Sequence, residues 1–508
     1  MANSFAAAMK SESNKTFTAN GATAYSSTGN ALLDLFSAVG SMRNAPASRI
    51  ETMLADGFAE DQLLATKTMF YTRDIRGERV GKGERQTFRV MLKWMAKHHP
   101  NAVIPNIPLI GVYGRFDDLY TLIDTPCEKD MWAYVKEQFN TDVANMEYNQ
   151  ANPDGKKKPV SLLGKWLKSV NSSSKETCAL GRTTAKNIGF SKEKDYRKAL
   201  AALRAYMPVL ERQMSDGCWT DIDFERVPAK AMKTYKNAFA KHDVGNFTKY
   251  VEDVKEGKAK INASTLFPYD IVGEYFNKGL YDHKEDDILE AQWKAMPDYV
   301  GKDVNAVVVC DTSGSMTISV NGVKALPLKA AISLAIYFAE HNTGAYHNMF
   351  MEFSSRSRFV TLHGETLLQK IQSAYNADWG MSTNLEAAFM KILDTAIKNN
   401  VDNNEMPKSI IVISDMQINH CTGSWSFYHE MKARYARTGY DIPHVIFWNV
   451  NAAQPTMLVD DKTREGVQLI SGLNAKTFAE IIDNASASSI ELMLNCLNNP
   501  RYDAVTVA

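Results

Sequence analysis

The sequence predicts a multidomain protein, in which an all-α region is followed by an α/β domain built on a doubly wound, Rossmann-like sheet. With 508 residues, the chain is longer than a single domain with one hydrophobic core usually is. Short apolar groups at helical spacing recur through residues 28–295. From residue 303 onward, apolar runs of strand length alternate with helical patterns, which is typical of βαβ units.

Composition favours a folded chain with an uneven charge distribution. Hydrophobic residues make up 45% of the chain and charged residues 23%, which is ordinary for a globular protein. The formal net charge is zero, yet residues 151–250 contain 20 Lys and Arg against 10 Asp and Glu. Such a basic block binds phosphate backbones in some proteins and forms solvated helix faces in others. The charge pattern therefore leaves nucleic-acid binding open.

The sequence carries no pattern typical of export or membrane insertion. Residues 1–30 lack the apolar core of a signal peptide, and no run of roughly 18 apolar residues occurs. The six cysteines form no Cys-x-x-Cys pair and show no zinc-like spacing, which fits a reduced compartment. We therefore expect a cytoplasmic protein without a membrane span.

Four segments follow from the change of pattern along the chain. Residues 1–27 predict a flexible arm, because small polar residues bury too little apolar surface to offset the entropy of ordering. Residues 28–295 predict a helical domain, for which stacked antiparallel helix pairs are suitable although no strict repeat is visible. Residues 303–498 predict the α/β domain, and residues 499–508 a short tail.

The first strand of the α/β domain is the clearest predicted element. Asn305–Cys310 is a continuous apolar run, as expected for a central parallel strand buried on both faces. The further predicted strands are Asn348–Phe353, Ser409–Ser414 and His444–Trp448. The predicted helices are Lys324–Glu340, Asn384–Lys398 and Ala475–Asp483.

Five oxygen-bearing side chains are candidate metal ligands. Asp311, Ser313 and Ser315 follow the first strand at alternating positions, Thr383 opens a helix, and Asp415 ends a strand. In doubly wound sheets, ligands bind at the carboxyl ends of the strands, where such loops meet. Oxygen ligands of which two are anionic suit Mg²⁺ or Mn²⁺ better than zinc. The alternative is that the hydroxyls only cap helices and that Asp415 only ends its strand.

This pattern resembles the metal-ion-dependent adhesion site of von Willebrand factor A domains. That site has Asp-x-Ser-x-Ser followed by a distant Thr and a distant Asp, and all five elements occur here in the same order. The resemblance implies a von Willebrand factor A fold for the α/β domain. An open coordination position would then accept a carboxylate or phosphate oxygen from a partner.

The segment 71–85 is the second candidate site. It contains three glycines and five cations, namely Arg73, Arg76, Arg79, Lys82 and Arg85. Glycines allow backbone amides to approach an anion, and the helix that follows could direct its positive end at a phosphate. The alternative is an interhelical turn that Arg73, Asp74 and Glu84 tie to neighbouring helices. The sequence leaves both open.

Several segments of the helical region resemble a family similar to the Ro autoantigen, whose helical module is the TROVE domain. These segments include 73–85, 165–167, 196–204 and 227–242, and the match spans about residues 30–498. One departure is visible, because Glu78-Arg79-Val80 is inserted where the family tends to run Arg-Gly-Gly-Lys-Gly-Glu-Arg. The resemblance implies HEAT-like helical repeats arranged in a ring. It also implies binding of small noncoding RNA or of single-stranded RNA ends.

Cations of the basic block are the remaining candidate RNA contacts. They are Lys156, Lys157, Lys158, Lys165, Lys168, Arg182, Lys186, Arg197, Lys198 and Arg204. Trp166, Tyr196 and Tyr206 lie between them and could either stack on bases or pack in the core.

Two functions fit these observations. The first is a non-enzymatic RNA-binding scaffold of ribonucleoprotein type with a Mg²⁺-binding A-type domain. The second is a protein-interaction adaptor whose A-type domain binds an acidic residue of a partner through the metal. We do not expect an enzyme, because the ten histidines are dispersed and no Ser/His/Asp or Cys/His set is recognisable.

Overall fold

The computed structural model describes residues 9, 13–207, 209–278, 284–301, 304–353, 357–375, 384–420, 427–452, 454, 456–459 and 466–507. The chain divides into two units. The first, here called the α/β unit, consists of Met1–Thr87 and Ile261–Tyr502. The second, here called the helical unit, consists of Phe88–Lys260 and Asp503–Ala508.

Helices dominate the first 300 residues and also separate the later strands. From the N-terminus to the end of the helical unit, the α-helices are α1 (Ala31–Ala38), α2 (Ala47–Glu60), α3 (Gln62–Arg73), α4 (Arg85–His98), α5 (Pro100–Val103), α6 (Ile107–Tyr113), α7 (Glu128–Ala151), α8 (Leu163–Trp166), α9 (Lys175–Asn187), α10 (Glu193–Tyr206), α11 (Leu210–Ser215), α12 (Ala229–His242) and α13 (Val244–Lys255). The later helices are α14 (Pro268–Lys278), α15 (Asp287–Lys294), α16 (Leu326–His341), α17 (Leu367–Tyr375), α18 (Leu385–Asn399), α19 (Phe427–Arg437), α20 (Lys476–Ile482) and α21 (Ser489–Leu497).

The strands form a hairpin and a mixed six-stranded sheet. They are β1 (Lys15–Phe17), β2 (Thr23–Tyr25), β3 (Ala306–Asp311), β4 (Met349–Phe353), β5 (Arg358–Thr361), β6 (Ser409–Ser414), β7 (His444–Asn449) and β8 (Val467–Ser471). β1 pairs antiparallel with β2. The sheet order is β5-β4-β3-β6-β7-β8, and all neighbours are parallel except β4 and β5.

The hydrophobic residues of the strands alternate between two helical layers. Val309, Val412 and Phe447 face a buried cluster to which α18 and α19 contribute. On the other face, α16 contacts β3, β4 and β6, and the ring of Phe478 packs edge-on against Trp448 with centroids 4.7 Å apart. The prediction of an α/β domain with helices around a sheet is therefore confirmed, and the predicted strands and helices agree with the structure to within two residues at each end.

β5 and β8 were missing from the predicted strands, for different reasons. In β5, only Val360 of the four residues is buried, so the strand carries almost no apolar pattern. The five residues of β8 are all buried, but they include Gln468 and Ser471, whose polarity interrupts the apolar run.

The N-terminal segment differs from the predicted flexible arm. Residues 15–25 form the β1–β2 hairpin, and Ala22 and Ala24 are buried. Tyr25 exchanges two backbone hydrogen bonds of 2.8 Å with Met457. The hairpin therefore gains long-range partners that its composition does not reveal.

The boundaries of the two units also differ from those of the predicted helical domain, residues 28–295. α1 packs on β8, and α14 packs on α16, so both helices belong to the α/β unit although they lie within the predicted range 28–295. Within the helical unit, α10 packs on α7 and α8. In the predicted tail, Thr506 exchanges backbone hydrogen bonds with the side chain of Asn106. An arrangement in HEAT-like repeats stays a prediction.

None of the described helices combines the length and the apolar character needed to cross a bilayer.

Candidate functional site

Four of the five predicted metal ligands, Asp311, Ser313, Ser315 and Asp415, lie at one edge of the sheet. β3 and β6 are parallel neighbours, with Cys310 opposite Ile413, so both strands end at the same edge. β3 is followed in the chain by β4 on one side, whereas β6 lies on its other side. The strand order thus reverses between β3 and β6, which is where doubly wound sheets bind ligands.

Four of the five predicted ligands are joined by hydrogen bonds at this edge. Asp311 Oδ1 accepts from the backbone N–H of Ser313 at 2.9 Å. The hydroxyl oxygens of Ser313 and Ser315 are 3.0 Å apart. The side chain of Ser315 also hydrogen-bonds to Asp415. Ser414, which the sequence did not single out, donates from its hydroxyl to Asp311 Oδ2.

The electrostatics of this cluster fit a cation. Asp311 is 0% exposed and Asp415 is 4% exposed. Burial, together with the nearby carboxylate of Asp415, raises the pKa of Asp311 to about 7, and burial also raises the pKa of Asp415. A divalent cation would favour the charged form of both carboxylates and remove this unfavourable interaction. The hydroxyl of Thr312, the residue after Asp311, is buried and has no hydrogen-bond partner among the described residues.

The fifth predicted ligand, Thr383, lies outside the described residues. The helix that it was predicted to open is present as α18, and the side chain of Asn384 caps it by accepting from the N–H of Ala387 at 2.9 Å. In the described ranges, no three His, Cys, Asp or Glu side chains are grouped as a metal site. A metal at Asp311 and Asp415 would therefore depend on hydroxyl and water oxygens as well as on the two carboxylates.

The amides of the glycine-rich segment bind a carboxylate of this chain. Asp74 Oδ1 accepts from the N–H of Arg76 at 2.9 Å and from that of Gly77 at 3.1 Å. Arg501 Nε donates to Asp74 Oδ2 at 2.8 Å. Asp74 is 0% exposed, so the N–H groups of Arg76 and Gly77 are already satisfied inside the protein. This geometry favours the interhelical turn over the anion-binding loop, the two alternatives that the sequence left open.

Three charged residues of the same segment hold it to other elements. The buried ammonium of Lys82 pairs with Glu480. Glu84 accepts two hydrogen bonds, of 2.7 and 2.8 Å, from the guanidinium of Arg43. Arg79 pairs with Asp483 at 2.8 Å on the surface.

The exposure of the five predicted cations in this segment corrects part of the RNA-binding prediction. Lys82 is 0% exposed and Arg73 is 5% exposed, so neither side chain can reach an RNA phosphate in this structure. Arg76, Arg79 and Arg85 are exposed.

Part of the basic block surrounds a pocket in the helical unit. The pocket has a volume of about 760 Å³. Four of the predicted cations line it, namely Lys165, Arg197, Lys198 and Arg204. Arg212 lines it as well and was not predicted, because its position in a short helix gave no separate signal. Arg197 and Lys198 are exposed, and neither has an ion pair in the described part of the chain.

Arg204 supports the pocket wall and is not free to bind a ligand. Its guanidinium donates to the backbone oxygens of Gly164 at 2.9 Å and Leu167 at 2.6 Å, and to the hydroxyl of Ser169 at 2.8 Å. Removal from water lowers the pKa of Arg204. The predicted cation therefore has a structural role in the connection between α8 and α9.

Two of the three aromatic candidates for base stacking are used within the protein, and the third is partly covered. Tyr196 is 0% exposed and donates to the backbone oxygen of Lys168 at 2.7 Å. The hydroxyl of Tyr206 accepts from Asn149 at 2.9 Å. The guanidinium of Arg115 lies 4.0 Å from the ring centre of Trp166. Core packing thus explains Tyr196, and the structure offers no open ring face there.

The other predicted cations do not line the pocket. Lys156, Lys157 and Lys158 are exposed beyond the end of α7. Lys157 donates to the backbone oxygens of Asn149, Asn152 and Pro153, and Lys158 lies 4.0 Å from the ring centre of Tyr148. Three more cations stand apart from these: Lys168 lies 5.7 Å from the ring centre of Tyr120, Arg182 pairs with Glu193, and Lys186 is exposed.

Two family models match the sequence, and both are described as domains of unknown function. DUF2828 matches residues 18–131 and 129–303, and DUF7788 matches residues 305–495. A relative from Acanthamoeba polyphaga mimivirus, "Uncharacterized protein L728", is 28% identical over 524 residues, which cover 95% of this chain and 87% of the relative. The crystal structure of the Deinococcus radiodurans RO (RSR) protein matches with a TM-score of 0.42 and 14% identity, over 84% of this chain and 92% of that chain. That score is too low to transfer a property of the RO protein to this chain.

Proposed function

Because this chain belongs to the DUF2828 family, whose description names no activity, we propose from its own sites that it is a non-enzymatic RNA-binding scaffold whose α/β unit holds Mg²⁺ or Mn²⁺. The observation that carries the RNA-binding half is the pocket lined by Lys165, Arg197, Lys198 and Arg212. Lys165 pairs with Glu211, the one acidic side chain of the lining, at 3.4 Å, and Arg212 pairs with Asp216 at 3.1 Å. Arg197 and Lys198 therefore supply the positive charge of the pocket that is open to a ligand.

Charge favours a polyanion as the ligand of this unit. Residues 88–260 contain 29 Lys and Arg against 21 Asp and Glu. Arg197 and Lys198 extend from α10 without an ion pair in the described ranges, so a phosphate would not have to displace a carboxylate from them. Each phosphate that a cation neutralises releases condensed counterions, which drives the association at low salt.

The shape and lining of the pocket favour a nucleotide as the group that enters it. A volume of about 760 Å³ falls within the range of small-molecule pockets, roughly 300–1,000 Å³. Val170, Leu200 and Val209 provide an apolar lining against which a base can pack, and Ser169 and Asn171 provide hydrogen-bonding groups. The resemblance to the TROVE family adds small noncoding RNA and single-stranded RNA ends as the expected ligands.

The experiment is a mobility shift with a labelled RNA hairpin and a labelled oligouridylate, titrated at several salt concentrations. The variant Arg197→Ala/Lys198→Ala is compared with Lys241→Ala/Lys249→Ala, which removes two exposed cations elsewhere in the helical unit. The pocket variant should lose about tenfold in affinity, and its log affinity should fall less steeply with log salt by about 1 for each lost contact. Equal losses in both variants, or no binding of either RNA at low salt, would contradict the proposal.

The metal half of the proposal depends on the cluster at the end of β3 and β6. Asp311, Ser313, Ser315 and Asp415 would hold the ion, with Thr383 as the fifth ligand that the resemblance to von Willebrand factor A domains implies. The bound ion would supply a Lewis-acidic position for an oxygen of a partner. The carboxylate of Asp311 is held in a fixed orientation for this purpose, because the N–H of Ser313 donates to Oδ1 and the hydroxyl of Ser414 donates to Oδ2.

A second candidate function is a metal-dependent adaptor that binds an acidic residue of a partner protein. The specific observation in its favour is that two buried carboxylates and the hydroxyls of Ser313 and Ser315 meet at the sheet edge of the α/β unit, whereas the basic pocket belongs to the helical unit. Calorimetry with a short glutamate-containing peptide, in Mg²⁺ and then in EDTA, tests it. Heat that appears only with Mg²⁺ and disappears in Asp311→Ala supports the adaptor, and equal heats in both buffers contradict it.

A further inference from the structure

We propose that the N-terminal β1–β2 hairpin is a brace that positions the metal ligand Asp415, and that Thr18 is its principal positioning residue. This inference rests on the metal half of the proposed function. It assigns a role in metal affinity to a segment that the sequence predicts to be a flexible arm.

The hairpin turn binds Gln417 and Ile418, two and three residues after Asp415. The hydroxyl of Thr18 donates to the backbone oxygen of Ile418 at 2.7 Å, and the N–H of Ala19 donates to Gln417 Oε1 at 2.7 Å. The side-chain amide of Asn20 donates to the backbone oxygen of Gln417. These bonds join positions about 400 residues apart in the chain. Thr18 is 4% exposed, so its hydroxyl is protected from competing water.

Gln417 passes this restraint to the ligand itself. Its backbone N–H donates to Asp415 Oδ1 at 3.1 Å. One oxygen of the carboxylate is therefore oriented by a residue that the hairpin holds in place. A fixed outer partner of this kind typically changes metal affinity, because it sets the orientation of the ligand before the metal arrives.

The backbone between Asp415 and Gln417 needs such a restraint. Met416 has a φ of 64°, in the left-handed region that non-glycine residues seldom adopt. Its N–H donates to Ser414 Oγ at 2.9 Å, and Ser414 in turn donates to Asp311. A strained residue persists only where surrounding contacts hold it, and such residues cluster at functional sites. The left-handed turn thus aligns both metal carboxylates, and the hairpin supplies contacts that hold the turn.

The test measures Mg²⁺ affinity by isothermal titration of the full chain. Thr18→Val keeps the shape of the side chain but removes its hydroxyl. We expect it to weaken Mg²⁺ binding about fivefold, less than the roughly 10–100-fold of groups that hydrogen-bond a ligand directly, because Thr18 acts on Asp415 only through Ile418 and Gln417. Thr18→Ser keeps the hydroxyl and should retain the affinity of the wild type. Phe17→Ala, at a side chain that is 66% exposed on the same hairpin, is the matched control and should also leave affinity unchanged.

The outcomes separate this inference from the proposal on which it rests. If the wild type and Asp311→Ala give the same Mg²⁺ titration, the metal site itself is refuted and the brace with it. If Asp311→Ala loses binding while Thr18→Val binds as tightly as the wild type, only the brace is refuted. A lower thermal midpoint of Thr18→Val in EDTA, without a change in Mg²⁺ affinity, would likewise overturn it, because the contact would then serve folding alone.

Discussion

Replacement of Lys82 by methionine should destabilise the protein severely and leave RNA affinity unchanged. The Lys82 ammonium is 0% exposed, pairs with Glu480, and donates to the hydroxyl of Thr477 at 3.0 Å. Glu480 also accepts from the hydroxyl of Tyr71 at 3.0 Å and from the N–H of Gly81 at 3.2 Å. Without Lys82, the carboxylate of Glu480 keeps these two hydrogen bonds but loses its ion-pair partner and remains buried.

The expected magnitude follows from this burial. Removal of one partner of a buried ion pair typically costs about 3–5 kcal/mol, because an uncompensated charge stays in the interior. Arg79 provides the comparison, since it pairs with Asp483 where the side chains are 45% and 50% exposed. An exposed pair contributes about 0–1 kcal/mol, so Arg79→Ala should be nearly neutral. The two variants remove cations only three positions apart, but their effects should differ by several kcal/mol.

Urea unfolding followed by circular dichroism measures both variants, and the mobility shift measures their RNA affinity. The double variant Lys82→Met/Glu480→Gln should recover at least about 1 kcal/mol relative to Lys82→Met, because the buried charge is then absent. If Lys82→Met unfolds at the same urea concentration as Arg79→Ala, the assignment of Lys82 to a buried pair is refuted. If it instead binds RNA more weakly while it remains stable, the loop is an anion site after all.

Three further predictions concern the metal, the pocket and pH. Asp311→Ala should abolish the thermal stabilisation by Mg²⁺, since the variant lacks one of two buried carboxylates, and an unchanged Mg²⁺ shift in calorimetry would refute the site. Arg197→Ala/Lys198→Ala should reduce the salt dependence of RNA binding, as described above. Burial lowers the pKa of His444 below its ordinary 6.5. Just below pH 6.5 the unfolded chain therefore binds more protons at this residue than the folded chain does, so the free energy of unfolding should fall as the pH drops through about 6.5. His444→Gln should flatten that decline in urea unfolding at pH 5 to 7, and an identical decline in the variant would exclude His444 as its source.

Local patterns in the sequence were enough to predict most of the sheet and the meeting of four oxygen-bearing side chains at one edge of it; that they hold a metal stays a proposal. Asp311 ends a fully buried strand that Ser313 and Ser315 follow, and Asp415 follows another strand, so their meeting at one edge depends on the parallel pairing of two apolar runs. Strand and helix periods extend over a few residues and are therefore visible in the chain itself. Ser414 was missed because a serine inside an apolar strand has no separate signal.

Tertiary packing alone decided the roles of Lys82, Thr18 and Tyr196. A cation in a glycine-rich segment and a threonine in a polar arm look accessible in sequence, but their partners Glu480 and Ile418 are about 400 residues away. Whether such a side chain contacts water, a phosphate or a buried carboxylate depends on which elements pack over it. A contact between residues about 400 positions apart closes a long loop of the chain and produces no recognisable local sequence pattern. The sequence by itself determined which residues have the chemistry for a metal or an anion, and the folded chain determined which of them remain available to bind one.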